Sequence, residues 1–337
     1  MLAFFNQAAV DPLVTDIYIT LYRVAAESHI VNALISAAKN GKNVVTFIEL
    51  KARFDEENNI RWSKMMKEAG VKIIYSDPDI KVHSKIALVK KQDGLKNLSY
   101  ALLSTGNFNE TTAQFYTDHV LMTTDKALIK ELEPLCEYLR KNDPELKSKI
   151  KFERLLVSQF NMFDGFKERI DKEINKAATG ENALIRIKIN NLEEPGLIDL
   201  LYKASNAGVK VRLIVRSVCC LQPGVQGQSE NIIVRRLVDR YLEHTRIFIF
   251  GDDENAEVII GSADWMNRNI HHRIEVCATI ITNEHKKQLL DYFNIQWSDN
   301  DKMVELDANY KQYSVENNSE TKIDAQQTLY SYFQQRE

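Results

Sequence analysis

The chain has few of the residues that cross-link or loosen a fold. Its four cysteines, Cys136, Cys219, Cys220 and Cys277, show no Cys-x-x-Cys spacing. An adjacent pair does not build a disulfide framework, so a reducing compartment is expected. Twelve glycines and six prolines in 337 residues leave little sequence for long flexible linkers. No apolar run in the sequence approaches the roughly 20 residues needed to cross a bilayer. The opening Met-Leu-Ala-Phe-Phe-Asn-Gln lacks the basic n-region of a signal peptide. A cytoplasmic location, peripheral to a membrane at most, is therefore expected. Neither sign of charge dominates: the net is −3, so a bound polyanion must meet a local basic patch. Hydrophobic content of 44% and charged content of 27% are those of a globular protein. A length of 337 residues exceeds the usual ceiling for one core and favours two domains.

What the sequence does contain is an alternation of strand and helix patterns, run twice. The first half reads as strands at Asp16–Arg23, Val44–Leu50, Val71–Tyr75, Lys81–Val89 and Tyr100–Ser104. Its helices are expected at Ser28–Lys39 and Ile60–Ala69, closed by Gly41 and Gly70. The second half reads as strands at Ala183–Ile189, Lys210–Arg216, Arg246–Phe250 and Glu257–Ile260, with helices at Gly196–Asn206 and Ile232–Tyr241. The fold class is α/β, with mixed, mostly parallel sheets flanked by helices.

Three blocks match between the halves in the same order. Ala38-Lys-Asn-Gly41-Lys-Asn-Val-Val parallels Ala204-Ser-Asn-Ala-Gly208-Val-Lys-Val, and Val82-His83-Ser-Lys85-Ile parallels Glu243-His244-Thr-Arg246-Ile. Leu103-Ser-Thr105-Gly-Asn107-Phe parallels Ile260-Gly-Ser262-Ala-Asp264-Trp. Asp118 follows Thr105 by 13 residues, as Glu275 follows Ser262. We read a duplicated domain, divided near Asp143–Lys151 into residues 1–147 and 148–337.

His83 and Lys85 stand two apart at the head of an apolar run, so on a strand they would share a face. Ser104, Thr105, Gly106 and Asn107 supply hydrogen-bonding groups and close backbone approach nearby in the pattern. A histidine beside a cation and amides suits a phosphoryl group. If the two copies face each other, they form one cleft with two histidines, the arrangement of the phospholipase D superfamily, which His-x-Lys resembles. One imidazole then attacks phosphorus and the other protonates the leaving group. That superfamily usually has an acid soon after the lysine. Ile86-Ala-Leu-Val-Lys90 has none, and Arg246 stands where the second lysine is expected. Both departures argue against diester hydrolysis.

Longer motifs narrow the reading. Ile19-Thr-Leu-Tyr-Arg23-Val-Ala, Glu49-Leu-Lys-Ala-Arg53-Phe-Asp-Glu-Glu-Asn, Ser104-Thr-Gly-Asn-Phe-Asn-Glu110, Tyr116-Thr-Asp118, Val238-Asp-Arg-Tyr-Leu-Glu-His244 and Ser262-Ala-Asp-Trp-Met-Asn-Arg-Asn269 resemble the bacterial polyphosphate kinase family. The type is the one with phospholipase D-like halves, and the likeness runs over roughly residues 10–335. Members of that family are about twice this length. Their N-terminal and head domains are expected to be missing here.

The resemblance implies a reversible transfer of the terminal phosphate of ATP to inorganic polyphosphate through a phosphohistidine at His83. It implies His244 as a second catalytic and nucleotide-binding histidine. Tyr116, Arg216, Lys85, Arg23, Arg53 and Asn107 are implied as ATP- or phosphate-binding residues. Arg23 and Arg53 fall at positions grouped with Mg²⁺; guanidiniums cannot ligate a cation, so they would act through phosphate. Mg²⁺ is the implied cofactor, and ATP, ADP and polyphosphate are the partners. A homo-oligomer is implied and nucleic acid is not. A phospholipase D-type phosphodiesterase and a non-catalytic polyanion-binding fragment remain as alternatives. Other residues read as structural: adjacent His271 and His272 diverge on any regular element, Trp265 within its motif packs beneath its loop, and the segment from Val304 ends in a polar helix docked on the surface.

Overall fold

The computed structural model of the chain describes residues 1–49, 56–76, 81–253, 255–315 and 321–336. It divides into two compact units, one of Met1–Phe160 with His271–Ala278 and one of Asn161–Ile270 with Thr279–Glu337. The division falls after Phe160 rather than after residue 147, because the chain beyond 147 still packs on the first unit. Leu155–Val157 pairs antiparallel with Val276–Ala278. Phe160 meets Tyr138 and Phe152 edge-on, at ring separations of 5.4 and 5.3 Å. A single cut in the sequence also cannot express the return of residues 271–278.

The first unit contains helices α1 (Leu2–Val10), α2 (His29–Lys39), α3 (Glu56–Glu68) and α4 (Lys126–Lys141). Its main strands are β1 (Val14–Leu21), β2 (Asn43–Ile48), β3 (Lys72–Tyr75), β4 (Ile86–Asp93), β5 (Tyr100–Ser104) and β6 (Val120–Thr123). They lie in the order β3-β2-β1-β4-β5-β6. The β1–β2 and β2–β3 pairs are parallel; β1–β4, β4–β5 and β5–β6 are antiparallel. Alternation along β1 explains both cores. Ile17 and Ile19 face α1, α2 and α3, in a cluster with Phe5, Leu34, Trp62 and Met66. The opposite face packs Ile86, Leu88 and Val82 against Leu128, Leu132 and Leu135 of α4. α2 starts where the sequence places a cap: Ser28 accepts from Val31 N at 3.2 Å, and Glu110 accepts from Ile30 N at 2.7 Å.

The second unit repeats the plan. It contains α5 (Met162–Ala178), β7 (Leu184–Ile189), α6 (Pro195–Asn206), β8 (Lys210–Val215), β9 (Ile232–Arg236), β10 (Ile247–Phe250) and β11 (Glu257–Gly261). It continues with α7 (Asn283–Trp297), β12 (Val304–Leu306), β13 (Gln312–Ser314) and α8 (Ala325–Gln334). The strand order is β11-β10-β7-β8-β9-β12-β13. β7–β8 and β8–β9 are parallel, and β7–β10 is antiparallel, as β1–β4 is. Trp265 is fully buried under its loop, 5.2 Å from Phe166 and 5.8 Å from Phe248. A buried ring of this size contributes about 3 kcal/mol.

One expected element is wrong. Residues 232–241 were expected as a helix, but Ile232–Arg236 is a strand and the chain beyond it is irregular. Ile232, Ile233 and Val234 are β-branched, and their burial alternates, so they add a third parallel strand instead. A second expectation changes in detail. The strand over 81–89 breaks at His83–Lys85, leaving a short Lys81–Val82 piece before β4. The C-terminal helix docks as expected, with Tyr332 donating to Asp291 of α7 at 2.8 Å. Among the described residues, no helix is long and apolar enough to cross a membrane.

Candidate functional site

The break at His83–Lys85 is built by its neighbours. Thr20, the residue before the last of β1, donates to Ser84 O at 2.7 Å and accepts from Ile86 N at 3.0 Å. Lys81–Val82 pairs in parallel with Arg273–Ile274, and His83 N and Ser84 N both donate to Ile274 O, at 2.9 and 2.8 Å. That pairing places Glu275 against the imidazole: His83 Nδ1 lies 2.8 Å from Glu275 Oε1. The Glu275 side chain is fully buried and His83 is 15% exposed. Ser158 holds Glu275 in turn, accepting from its backbone N at 2.6 Å. Tyr22 stands edge-on to His83, with ring centroids 4.7 Å apart.

Burial pushes His83 down to about 3, although Glu275 pulls the other way. The ring is therefore neutral near pH 7. With Glu275 ionised, Nδ1–H donates to it and the free ring lone pair is on Nε2. Lys85 is buried, donates to His83 O, and places its ammonium 5.5 Å from the Tyr22 ring centre. His83 and Lys85 thus share a turn rather than one strand face.

The Ser104–Glu110 segment does three separate jobs. Thr105 donates to Asp118 at 2.5 Å, and a Cβ on Gly106 would sit 1.9 Å from Asp118 Oδ2, so only glycine fits. Asn109 donates to Arg23 O at 3.3 Å and fixes the half-buried arginine just past the end of β1. Glu110 caps α2. Asn107 is half-buried, with its Oδ1 out of solvent and without a hydrogen-bond partner among the described residues. Tyr116 is half-buried in the short strand Tyr116–Thr117.

In the second unit Arg216 follows β8 and donates to Glu243 O at 2.8 Å. His244 is half-buried, and Arg246 NH1 lies 3.2 and 3.1 Å from its two ring nitrogens and 2.7 Å from its carbonyl. Asn190 also donates to that carbonyl, at 3.1 Å. Arg246 NH2 pairs with Asp264 at 3.0 Å, both side chains buried. Burial alone would raise Asp264; the Arg246 guanidinium and Asn190 N hold it below the usual carboxylate range.

Family models for polyphosphate kinase C-terminal domain 1 and C-terminal domain 2 match residues 1–145 and 155–326. The chain belongs to the polyphosphate kinase family. The polyphosphate kinase of Vibrio cholerae serotype O1 is 42% identical over 327 residues, 97% of this chain and 46% of that one. The polyphosphate kinase of Escherichia coli K12 is 40% identical over 337 residues, 100% of this chain and 48% of that one. The crystal structure of a polyphosphate kinase from Porphyromonas gingivalis superposes with a TM-score of 0.91 at 40% identity, covering 99% of this chain and 51% of that one. The chain therefore spans about half the length of the polyphosphate kinases it matches. A phosphatidylserine synthase from Haemophilus influenzae Rd KW20, 12% identical with a TM-score of 0.62 over 99% of this chain and 91% of its own, shares the fold alone.

Set against the polyphosphate kinase resemblance, the structure brings His83, Lys85 and Tyr22 together in one unit, and His244, Arg216 and Arg246 in the other. Arg53 lies outside the described residues. No group of three or more His, Cys, Asp or Glu suited to a metal ion occurs among the described residues, and Arg23 has no lone pair to offer a cation. The residues at the metal-associated positions thus do not fit as direct Mg²⁺ ligands. Sequence reasoning missed the roles of Glu275, Asp264 and Asn109. The shared 13-residue spacing to Asp118 and Glu275 was the available signal for the first.

Proposed function

We propose that this chain carries the phosphoryl-transfer centre of a polyphosphate kinase. In the forward direction the γ-phosphorus of ATP is attacked by His83 Nε2; the new N–P bond forms as the bond to the bridging oxygen breaks, and ADP leaves with the electron pair. A terminal oxygen of polyphosphate then attacks the phosphohistidine, lengthening the chain by one phosphate and restoring the neutral imidazole. The reverse sequence makes ATP. A covalent intermediate divides one difficult transfer into two easier ones. Glu275 fixes the tautomer and balances the positive charge that develops on the ring. Lys85 and Arg23 neutralise the phosphoryl oxygens, and Tyr116 and Asn107 contribute polar contacts to the phosphates. Arg216 and His244 offer a guanidinium and an imidazole for the nucleotide phosphates and for proton transfer. Mg²⁺ would arrive with the nucleotide, bound through phosphate oxygens.

The observation that carries this reading is the His83–Glu275 contact: a neutral, oriented imidazole beside a buried lysine. Incubation with γ-labelled ATP, followed by mapping of the acid-labile adduct, tests it. Label on His83 is expected. Turnover with label on any other residue, or release of an alcohol from a diester without nucleotide, overturns it.

A further inference from the structure

The residue before His244 points away from the site. The Glu243 side chain enters the layer between the sheet of the second unit and α7, where it is 1% exposed. Its Oε2 accepts from Lys188 Nζ at 2.8 Å, Gln296 Nε2 at 2.7 Å and Tyr292 OH at 3.4 Å. Its Oε1 accepts from Gln326 Nε2 at 2.8 Å. The donors come from β7, α7 and α8. Burial works against the charge, yet Lys188 and the two glutamine amides hold Glu243 at about 2. Gln326 also brackets Tyr241 like a neighbouring strand, accepting from its N at 3.0 Å and donating to its O at 2.9 Å.

Stability does not account for this pair. A buried ion pair is costly to desolvate, and an apolar pair of similar volume commonly serves a core as well or better. The first unit supplies that counterexample. Lys188 lies opposite Ile247; the matching residue is Thr20, bonded to Ile86. The counterpart of Glu243 is Val82, packed in an apolar cluster. The fold therefore does not require an ion pair here. What the second unit has in addition is the Arg216 guanidinium resting on the Glu243 carbonyl.

We propose that the buried Lys188–Glu243 pair, with Gln326 of the C-terminal helix, is a positioning device that holds the Glu243–His244 backbone so that Arg216 and His244 are presented together to nucleotide phosphates. The proposal rests on the reading of Arg216 and His244 as nucleotide-contacting residues. Neither Lys188 nor Glu243 touches substrate; both act through the peptide between them and the site.

The test compares Lys188→Met, Glu243→Gln, Gln326→Ala and the double variant Lys188→Met/Glu243→Leu in the whole protein. The readouts are thermal midpoint and calorimetric Kd for a non-hydrolysable ATP analogue. The apolar double variant is expected to recover the midpoint lost by the singles while its Kd stays raised about tenfold. Gln326→Ala, on a solvated helix, is expected to raise Kd about threefold with its midpoint little changed. A double variant with wild-type Kd, or a Gln326→Ala variant with unaltered Kd, overturns the proposal, and these two variants decide it even if the singles fail to fold. Labelling of His83 is read separately. Raised Kd with no label on His83 would sink the phosphohistidine reading and leave the positioning role standing.

Discussion

The two units share strand order and strand direction, yet they found their histidines on opposite chemistry. Beneath His83 lie Val82, Ile86, Leu88 and the leucines of α4, and Thr20 serves the backbone of the turn. Beneath His244 lie Lys188, Glu243, Tyr292 and Gln296. The basic partners differ in the same sense. Arg246 is neutralised by Asp264, whereas the position matching Asp264 in the first unit is Asn107, an amide without charge. In the first unit that position offers Lys85 an amide rather than a carboxylate, and His83 has a carboxylate of its own. The second unit spends its cation on fixing a carbonyl and a ring. A duplicated fold thus carries one histidine paired with a buried carboxylate and one histidine held by an arginine that is itself paired with an acid.

The sharpest way to break this contrast is Glu275→Gln. An amide can donate to Nδ1 as readily as accept, so the tautomer is no longer enforced; the rate of His83 labelling at saturating ATP is expected to fall about 10²–10⁴-fold. A rate within threefold of the parent would mean that the carboxylate only packs. Next in size is Asp264→Asn, which leaves Arg246 as an uncompensated buried charge. Chemical denaturation is expected to show a loss of about 3 kcal/mol. A loss below about 0.5 kcal/mol would mean that the pair behaves like an exposed one.

The smallest effect is a pH dependence. The folded value of His83 lies below its unfolded value of about 6.5, so its contribution is full above that pH and is lost as pH falls toward about 3. Stability measured at pH 7.5 and pH 5 should fall more in the parent than in His83→Gln, by up to about 2 kcal/mol. Equal losses would show that the imidazole titrates normally.

Much of this was legible in the residues themselves. The parallel strands announced themselves as β-branched apolar runs, as in Val44–Ile48 and Val211–Val215, and Ser28 and Gly41 marked the ends of α2. Residues 232–241 were not legible, because Ile-Ile-Val followed three residues later by Leu-Val fits a helical period as well as an alternating one, and only the neighbours β8 and β12 decide it. The histidines and their basic partners stood out as polar residues at the head of apolar runs. Their acids did not. Glu275 lies 192 residues from His83, and no local pattern reports a partner brought in by strand pairing. Lys188 and Arg186 are buried charges in the middle of a strand, and their partners Glu243 and Asp253 lie far along the chain, so no local pattern announces them.

The return of residues 271–278 to the first unit also sets an order of events during synthesis. Residues 1–160 are made before residues 161–270, but their last strand partner and the carboxylate for His83 follow only after those. Until then Val82, Leu155 and Val157 have no Ile274 or Val276 to cover them, and His83 has no Glu275 to select its tautomer. A nascent or prematurely terminated chain therefore lacks the His83–Glu275 contact, which forms only in chains that extend past residue 278.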